Sequence, residues 1–346
     1  MTATMTRQAF GADFVGAEGF LNSPTYGLPP QFMFDALQDA LRVWQAGTMD
    51  VPSFDASVDA GRAGYAALVG VPVGSVTMAG TVSSALGLVA AAIPDGSRVA
   101  TLPGEFTSTS FPFAAQAARG VTVIEVDSDE LVTTASDYDV VTVSLVQSAS
   151  GAVLDAEALR ANVAGTDTLT VIDVTQALGW KNIELPWADV TVAAVYKWLM
   201  APRGTVWMSL SDRVSRSMVP HAANWYAGEE PWSTIYGLPL RLAEDARRFD
   251  VSPTWFSALG CGLTLPWLAS LDRAEVESHA LGLASRARAE LQLPQEPSAI
   301  VSIPTAAAEK LSDAGIRAAI RAGAVRVGFH LYNTEDDLDR LLDVLR

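Results

Sequence analysis

The chain has 346 residues, 49% of them hydrophobic and 18% charged, an ordinary globular composition with room for one large domain and a smaller one. A formal net charge of −16 argues against the clustered cations that hold a nucleic-acid backbone or an anionic membrane surface, so neither partner is expected. A single cysteine, Cys261, and three histidines far apart in sequence leave no disulfide, no thiolate cluster and no expected metal site.

The opening decapeptide, MTATMTRQAF, lacks the apolar core of a secretion signal. The longest apolar-rich stretch, Val82–Ile93, is interrupted by Ser83, Ser84 and Gly87 and is too short to span a bilayer, so a cytoplasmic location is expected. Further along, Ala79-Gly80-Thr81-Val82-Ser83 opens a helical stretch, Ser84–Ala92. Short β-branched runs follow at Arg98–Leu102, Val121–Val126, Val140–Val146, Leu169–Val174, Val190–Tyr196 and Gly204–Leu210. Helical periodicity separates several of them, at Ser110–Arg119 and Asp155–Val163. Continuous apolar strands alternating with helices predict an α/β domain whose parallel or mostly parallel sheet is covered on both faces. From Leu259 the pattern becomes one long helical stretch ending near Leu291. The loop Gln292–Pro297 comes next, then a strand at Ala299–Ile303, a helix at Ala306–Asp313, a strand at Ala324–Phe329 and a closing helix from Thr334. These elements predict a smaller α+β domain. The expected division is 21–257 for the large domain and 258–346, with 1–20, for the small one.

Only three lysines are present. Lys181 lies in a polar turn and Lys310 on an exposed helical pattern, where solvated roles are expected. Lys197 directly follows the apolar run Val190–Tyr196, at the carboxyl end of a buried strand, where ligands collect in open α/β sheets. Desolvation there disfavours the ammonium and frees a nucleophilic amine for Schiff-base chemistry. Taken alone, such a lysine could equally be reaching from a strand end to solvent. Asp173 ends the preceding strand of the same sheet, and a carboxylate in that place suits a protonated pyridine nitrogen, the electron sink of pyridoxal 5′-phosphate (PLP).

The two segments, Asp173-Val-Thr-Gln176-Ala-Leu-Gly179 and Tyr196-Lys197-Trp-Leu-Met-Ala-Pro202-Arg-Gly204, resemble the D-x-x-Q-x-x-G and K-x-x-x-x-P-x-G runs of the class V aminotransferases. The resemblance extends from about residue 20 to the end and implies the PLP fold-type-I architecture, with Lys197 carrying the cofactor. By the same comparison Asp173 pairs with the pyridine nitrogen and Gln176 hydrogen-bonds the ring hydroxyl. Gly80, Thr81 and Val82, at a helix start suited to an anion, take the phosphate. Gly104-Glu-Phe106-Thr-Ser-Thr109 resembles the E-F-P-S run of the isopenicillin-N-epimerase-like and kynureninase-like branches, whose aromatic residue stacks on the ring, which makes Phe106 the ring cover. Ser148 belongs to the strand-loop that approaches the ring. Two positions depart from the family: Ala194 and Tyr196 stand where many relatives have Ser and His, leaving the Tyr196 hydroxyl as the phosphate contact. Val251-Ser252-Pro253 replaces a G-T-P, so Ser252 keeps a hydroxyl that in relatives reaches the neighbouring subunit's phosphate, which implies a homodimer with a shared active site.

Ala324-Val-Arg326-Val-Gly-Phe-His330-Leu-Tyr-Asn333-Thr334-Glu-Asp-Asp337 resembles the family's v-R-x-S-x-H-x-Y-N-T-x-x-D run. It implies that Arg326 grips the substrate α-carboxylate, a task suited to a planar guanidinium. Thr334 and Asp337 form a helix-start pattern, so His330, Tyr332 and Asn333 are expected to be structural. Asn22, in Phe20–Gly27, matches a Y-L-N-x-x-x-x-G segment that lies over the substrate. Amino-acid and keto-acid substrates follow from the family, with transamination the leading expectation. A kynureninase-like or epimerase-like lyase or epimerase, and a non-catalytic binding module on the same fold, are the alternatives. Cys261 sits in an apolar helical pattern unlike the mobile thiol that a desulfurase requires.

Overall fold

The inner strands of the main sheet are the runs that alternate least between apolar and polar residues, because both of their faces are covered. The computed structural model describes residues 6–346, so the first half of the opening decapeptide lies outside the described residues. A hairpin of β1 (Thr6–Ala9) and β2 (Ala12–Val15) precedes helices α1 (Gln31–Gln45) and α2 (Asp55–Val69). Then come β3 (Val76–Ala79), α3 (Val82–Ala92), β4 (Arg98–Thr101), α4 (Thr107–Ala114), β5 (Thr122–Glu125), α5 (Ser128–Thr134), β6 (Val140–Ser144), α6 (Ala156–Val163) and β7 (Leu169–Asp173). The strands β8 (Val190–Ala194) and β9 (Val206–Leu210) complete a seven-stranded sheet of order β3-β9-β8-β7-β6-β4-β5. The pairs β4–β5, β4–β6, β6–β7 and β7–β8 are parallel, and β9 runs antiparallel to both its neighbours. The expected mostly parallel α/β sheet is therefore present.

Two apolar clusters sandwich this sheet. One includes Tyr65, Ile172, Trp198 and Trp207, and the other Leu86, Val99, Val192 and Met208. The rest of the chain comprises α7 (Asp212–Ser217), α8 (Trp255–Ser270), α9 (Arg273–Glu290), β10 (Ile300–Ile303), α10 (Ala308–Asp313), β11 (Ala319–Arg321), β12 (Ala324–Gly328) and α11 (Glu335–Leu345). Here β10, β12 and β11 form an antiparallel three-stranded sheet whose own core includes Leu283, Val325, Val327 and Leu338.

The single helix expected between Leu259 and Leu291 is two. Its periodicity is continuous, but Asp272 accepts the amides of Ala274 and Glu275 and so starts α9 afresh, while α8 packs along α2. The hairpin β1–β2 and the edge strands β3 and β11 are only three or four residues long, too short to show a period. No described helix is long and apolar enough to cross a membrane.

Candidate active site

Parallel strands place their carboxyl ends along one edge, and three of them converge here. The register pairs Ser144 of β6 with Asp173 of β7, and Asp173 with Val192 of β8, two residues before that strand ends and five before Lys197. The chain turns sharply after Lys197, whose carbonyl accepts the amide of Met200. Two glycines permit that turn to be packed from both sides. A side chain on Gly27 would come within 2.1 Å of the Lys197 carbonyl oxygen; one on Gly179, at φ +112°, would come within 2.4 Å of the Trp198 oxygen.

A cavity of about 180 Å³ lies at this edge. It is lined by Gly80, Thr81, Val82, Phe106, Ser148, Asp173, Gln176, Tyr196 and Lys197, together with Ser108, Ser144, Thr175, Ala194 and Arg203–Val206. Lys197 is 7% exposed. Burial pushes its pKa down to about 8, partly offset by Asp173 and reinforced by Arg326, Arg321 and Arg203. Its Nζ lies 5.3 Å from the centre of the Phe106 ring, so that ring faces the amine across the cavity. Asp173 Oδ1 accepts the Thr175 amide at 2.8 Å and Oδ2 accepts the Thr109 hydroxyl at 3.2 Å. Burial nevertheless raises its pKa above the usual carboxylate range, outweighing those bonds and Lys197; a cation brought against Asp173 would reverse that shift.

At the other end of the cavity α3 begins. Thr81 is its N-cap, with a reciprocal capping box to Ser84. The hydroxyl of Thr81 is thus committed to the helix, whereas the first-turn amides of Val82 and Ser83 have no carbonyl to reach within it. Gly80 has open space where a side chain would stand. Tyr196 carries Arg203 over its ring, 5.2 Å from the centre.

Arg326 is 1% exposed, and its partners are all neutral: the carbonyl and hydroxyl of Ser148 and the Thr25 hydroxyl at 2.9 Å. Its Nε is buried without a partner. Burial, reinforced by Arg321, pushes its pKa down to about 10. A buried guanidinium without a carboxylate is unstable unless something anionic completes it.

Gln176 is held by three bonds to the protein, which leave one lone pair of its oxygen free. Its amide donates to the Pro24 carbonyl at 2.9 Å and the Ser148 hydroxyl at 3.1 Å, and its oxygen accepts the Trp198 indole at 2.8 Å. Asn22 does not line the cavity: its backbone bridges Gly328, and its Oδ1 is buried without a partner. Ser252 is exposed and also stands outside the cavity lining. His330 Nδ1 accepts the Leu331 amide, so its Nε2–H donates to the Trp198 carbonyl. Burial pushes its pKa down to about 3. Tyr332 bonds Ser23, and Asn333 donates to the Phe20 carbonyl, which matches their expected structural roles. Thr25, Glu105 and Thr109 lie within the segments Phe20–Gly27 and Gly104–Thr109, but the sequence assigns them no role. No spacing rule shows which groups their side chains meet.

A family model described as aminotransferase class-V matches residues 54–312. The chain belongs to that family. This class V protein is 27% identical over 323 residues to a probable hercynylcysteine sulfoxide lyase of Mycobacterium tuberculosis, covering 84% of this chain and 79% of that one. A cystine C–S lyase in complex with cysteine persulfide has the same fold: TM-score 0.83, 17% identity, 95% of this chain and 97% of the other. So does a cysteine desulfurase from Thermococcus onnurineus, with TM-score 0.81, 19% identity and coverage of 94% and 93%. The architecture is PLP fold type I, and the cofactor of this class V enzyme is PLP. The residues present fit that group. A buried amine, a buried carboxyl in want of a cation, a flat aromatic face and a helix start with free amides meet in one cavity.

Proposed function

We propose that this protein is a PLP-dependent lyase that breaks the Cβ–sulfur bond of an S-substituted cysteine or its sulfoxide. The observation that carries the amino-acid part is Arg326, a buried cation with three neutral oxygens and no acid partner. An α-carboxylate would satisfy it through two parallel bonds. The reaction class is supported by the 27% identical relative named as a sulfoxide lyase. Cys261 bears on the same point: it is the chain's one cysteine, fully buried, with burial pushing its thiol up to about 12. Sulfur therefore leaves on the substrate's own fragment and is not passed to an enzyme thiol.

In this reading Lys197 would hold the cofactor and move the Cα proton, a base whose proton affinity burial lowers to about 8, within reach of neutral pH. Bound PLP supplies an electron sink for negative charge at Cα. Asp173 would face the ring nitrogen and Phe106 cover one ring face; Gly80, the Val82 amide and Tyr196 would take the phosphate, with Thr81 holding the helix start that presents that amide. Gln176 and Ser148 act by fixing the walls, since their polar atoms already bond protein groups. Asn22 holds the segment that carries Thr25. A homodimer completes the proposal: Tyr236 and Leu238 are each 91% exposed, as befits a surface awaiting cover, and Ser252 stands free to reach a partner's site. The large domain is taken as 21–257 and the small as 258–346 with 1–20, in the cytoplasm.

Overall, substrate and water give pyruvate, ammonium and the sulfur-bearing fragment. The test is to incubate holoenzyme with S-alkyl cysteines and their sulfoxides in the absence of any keto acid. Pyruvate and ammonium released in equal amounts support the lyase. Consumption only after a keto acid is added returns the reading to transamination, and exchange of the α-hydrogen with recovery of the amino acid returns it to epimerisation.

A further inference from the structure

Glu105 is a buried carboxylate, 9% exposed, and its bonds all come from uncharged donors. One oxygen, Oε1, accepts the Phe106 amide at 2.8 Å and the Ser144 hydroxyl at 2.6 Å. The other, Oε2, accepts the Ser144 amide at 2.7 Å and the Gln147 side-chain amide at 3.2 Å. Burial raises its pKa above the usual carboxylate range, and nearby Asp173 adds to that. An acid kept in such a place is costly unless its geometry is needed.

What the four bonds join is informative. Phe106 carries the ring that faces Lys197. Ser144 ends β6, paired in register with Asp173, and lines the cavity. Gln147 begins the loop whose next residue, Ser148, holds Arg326 through its carbonyl and hydroxyl. One carboxylate thus ties together the wall against the ring, the strand beside Asp173 and the loop that aims the guanidinium.

We propose that Glu105 is the positioning residue of this site, setting Phe106 and the Gln147–Ser148 loop at a fixed separation so that cofactor ring and substrate carboxylate are held in one geometry. Only an ionised carboxylate presents two acceptor edges to these four donors. In Glu105→Gln one edge becomes an NH₂. Gln147 can flip its amide and the Ser144 hydroxyl can rotate, but the Phe106 and Ser144 amides cannot, so a backbone N–H faces a donor whichever way the new amide turns.

The experiment uses holoenzyme and reads the visible circular dichroism of bound PLP, which reports ring orientation, together with PLP affinity and the spectral titration of an amino-acid ligand. In Glu105→Gln the dichroism per bound cofactor should fall markedly, and the dissociation constants for PLP and for the amino acid should each rise about tenfold. In a Phe106→Ala background the dichroism change caused by Glu105→Gln should disappear, because the residue acts through that ring. Should Glu105→Gln fail to fold, Ser144→Ala and Gln147→Ala each remove one donor and should shift the same readouts in the same direction by a smaller factor. A lowered melting temperature with unchanged dichroism, PLP affinity and amino-acid affinity, in Glu105→Gln or in both single-donor variants, overturns the proposal. None of these readouts depends on which bond the enzyme breaks.

Discussion

Arg62 and Arg326, two of the three buried arginines among the described residues, are solved differently. Behind β3, Arg62 meets Asp250 at 2.6 Å, donates to the Val76 carbonyl and lies over the Trp207 ring. Burial works against its charge, but Asp250 outweighs it and holds the guanidinium above its ordinary pKa. Outside the cavity lining but bonded to its Ser148, Arg326 has neutral oxygens only, and burial pushes its pKa down. The first cation is finished by the fold. In the proposed function the second is completed by the substrate carboxylate. The comparison teaches that charge burial alone does not mark a site: Arg288 is also buried with only the Ser298 and Ile300 carbonyls as partners, and what sets Arg326 apart is its bond to Ser148 of the cavity that holds Lys197.

The comparison can be tested most severely at Lys197. Lys197→Ala should lower turnover by about 10⁴-fold or more, and borohydride should leave no cofactor mass on the variant chain. Arg326→Ala should lower kcat/KM for the amino acid by roughly 10²- to 10³-fold, the worth of two charged hydrogen bonds, while the melting temperature stays level or rises. Arg62→Ala should do the reverse. Breaking a buried pair should cost about 3–5 kcal/mol in denaturant unfolding, with turnover per folded molecule within about twofold of wild type. If Arg326→Ala proves the more destabilised of the two, the contrast fails.

A smaller effect sharpens the same point through pH. Burial moves the Lys197 ammonium from 10.5 to about 8. Between those values the unfolded chain binds a proton that the folded chain does not, so cofactor-free wild type should gain stability as pH rises from about 8 to 10.5. Below pH 8 the penalty is present in full, on the order of 3 kcal/mol. Lys197→Met should therefore be more stable than wild type below pH 8 in urea titrations of the cofactor-free protein, with the gap closing by pH 10.5. Smallest of all, Cys261→Ala should keep turnover within about twofold, and thiol reagents should leave the native protein unlabelled.

Much of this site was legible because its chemistry rests on strand ends. Asp173 and Lys197 close two apolar runs, and a parallel sheet must bring neighbouring strand ends to one edge. Phe106, the Gly80–Val82 helix start and Arg326 were reachable through motif order. The fold class was legible for the same reason, since uninterrupted apolar runs separated by helices admit few architectures. What stayed hidden depends on side-chain reach. The Gln176 motif could be seen, but not that Pro24, Ser148 and Trp198 take both its amide hydrogens and one lone pair of its oxygen. The hydroxyl of Thr25 meets Arg326 across 301 residues, and no local pattern carries such information. The break at Asp272 was missed because a side-chain cap can end one helix and begin another without interrupting the apolar period.

The path of the chain near Arg7 has a consequence for synthesis. Arg7 pairs with Asp337, Gly19 donates to the same carboxylate, and Gly328 of β12 donates to the Leu21 carbonyl. The segment that presents Thr25 is therefore fastened by residues translated more than 300 positions later. The seven-stranded sheet can assemble while the ribosome is still at work, but the contact of Thr25 with Arg326 must wait for β12 and α11. A chain truncated before β12 would hold Lys197 and lack Arg326, so the two groups come together only once β12 has been made.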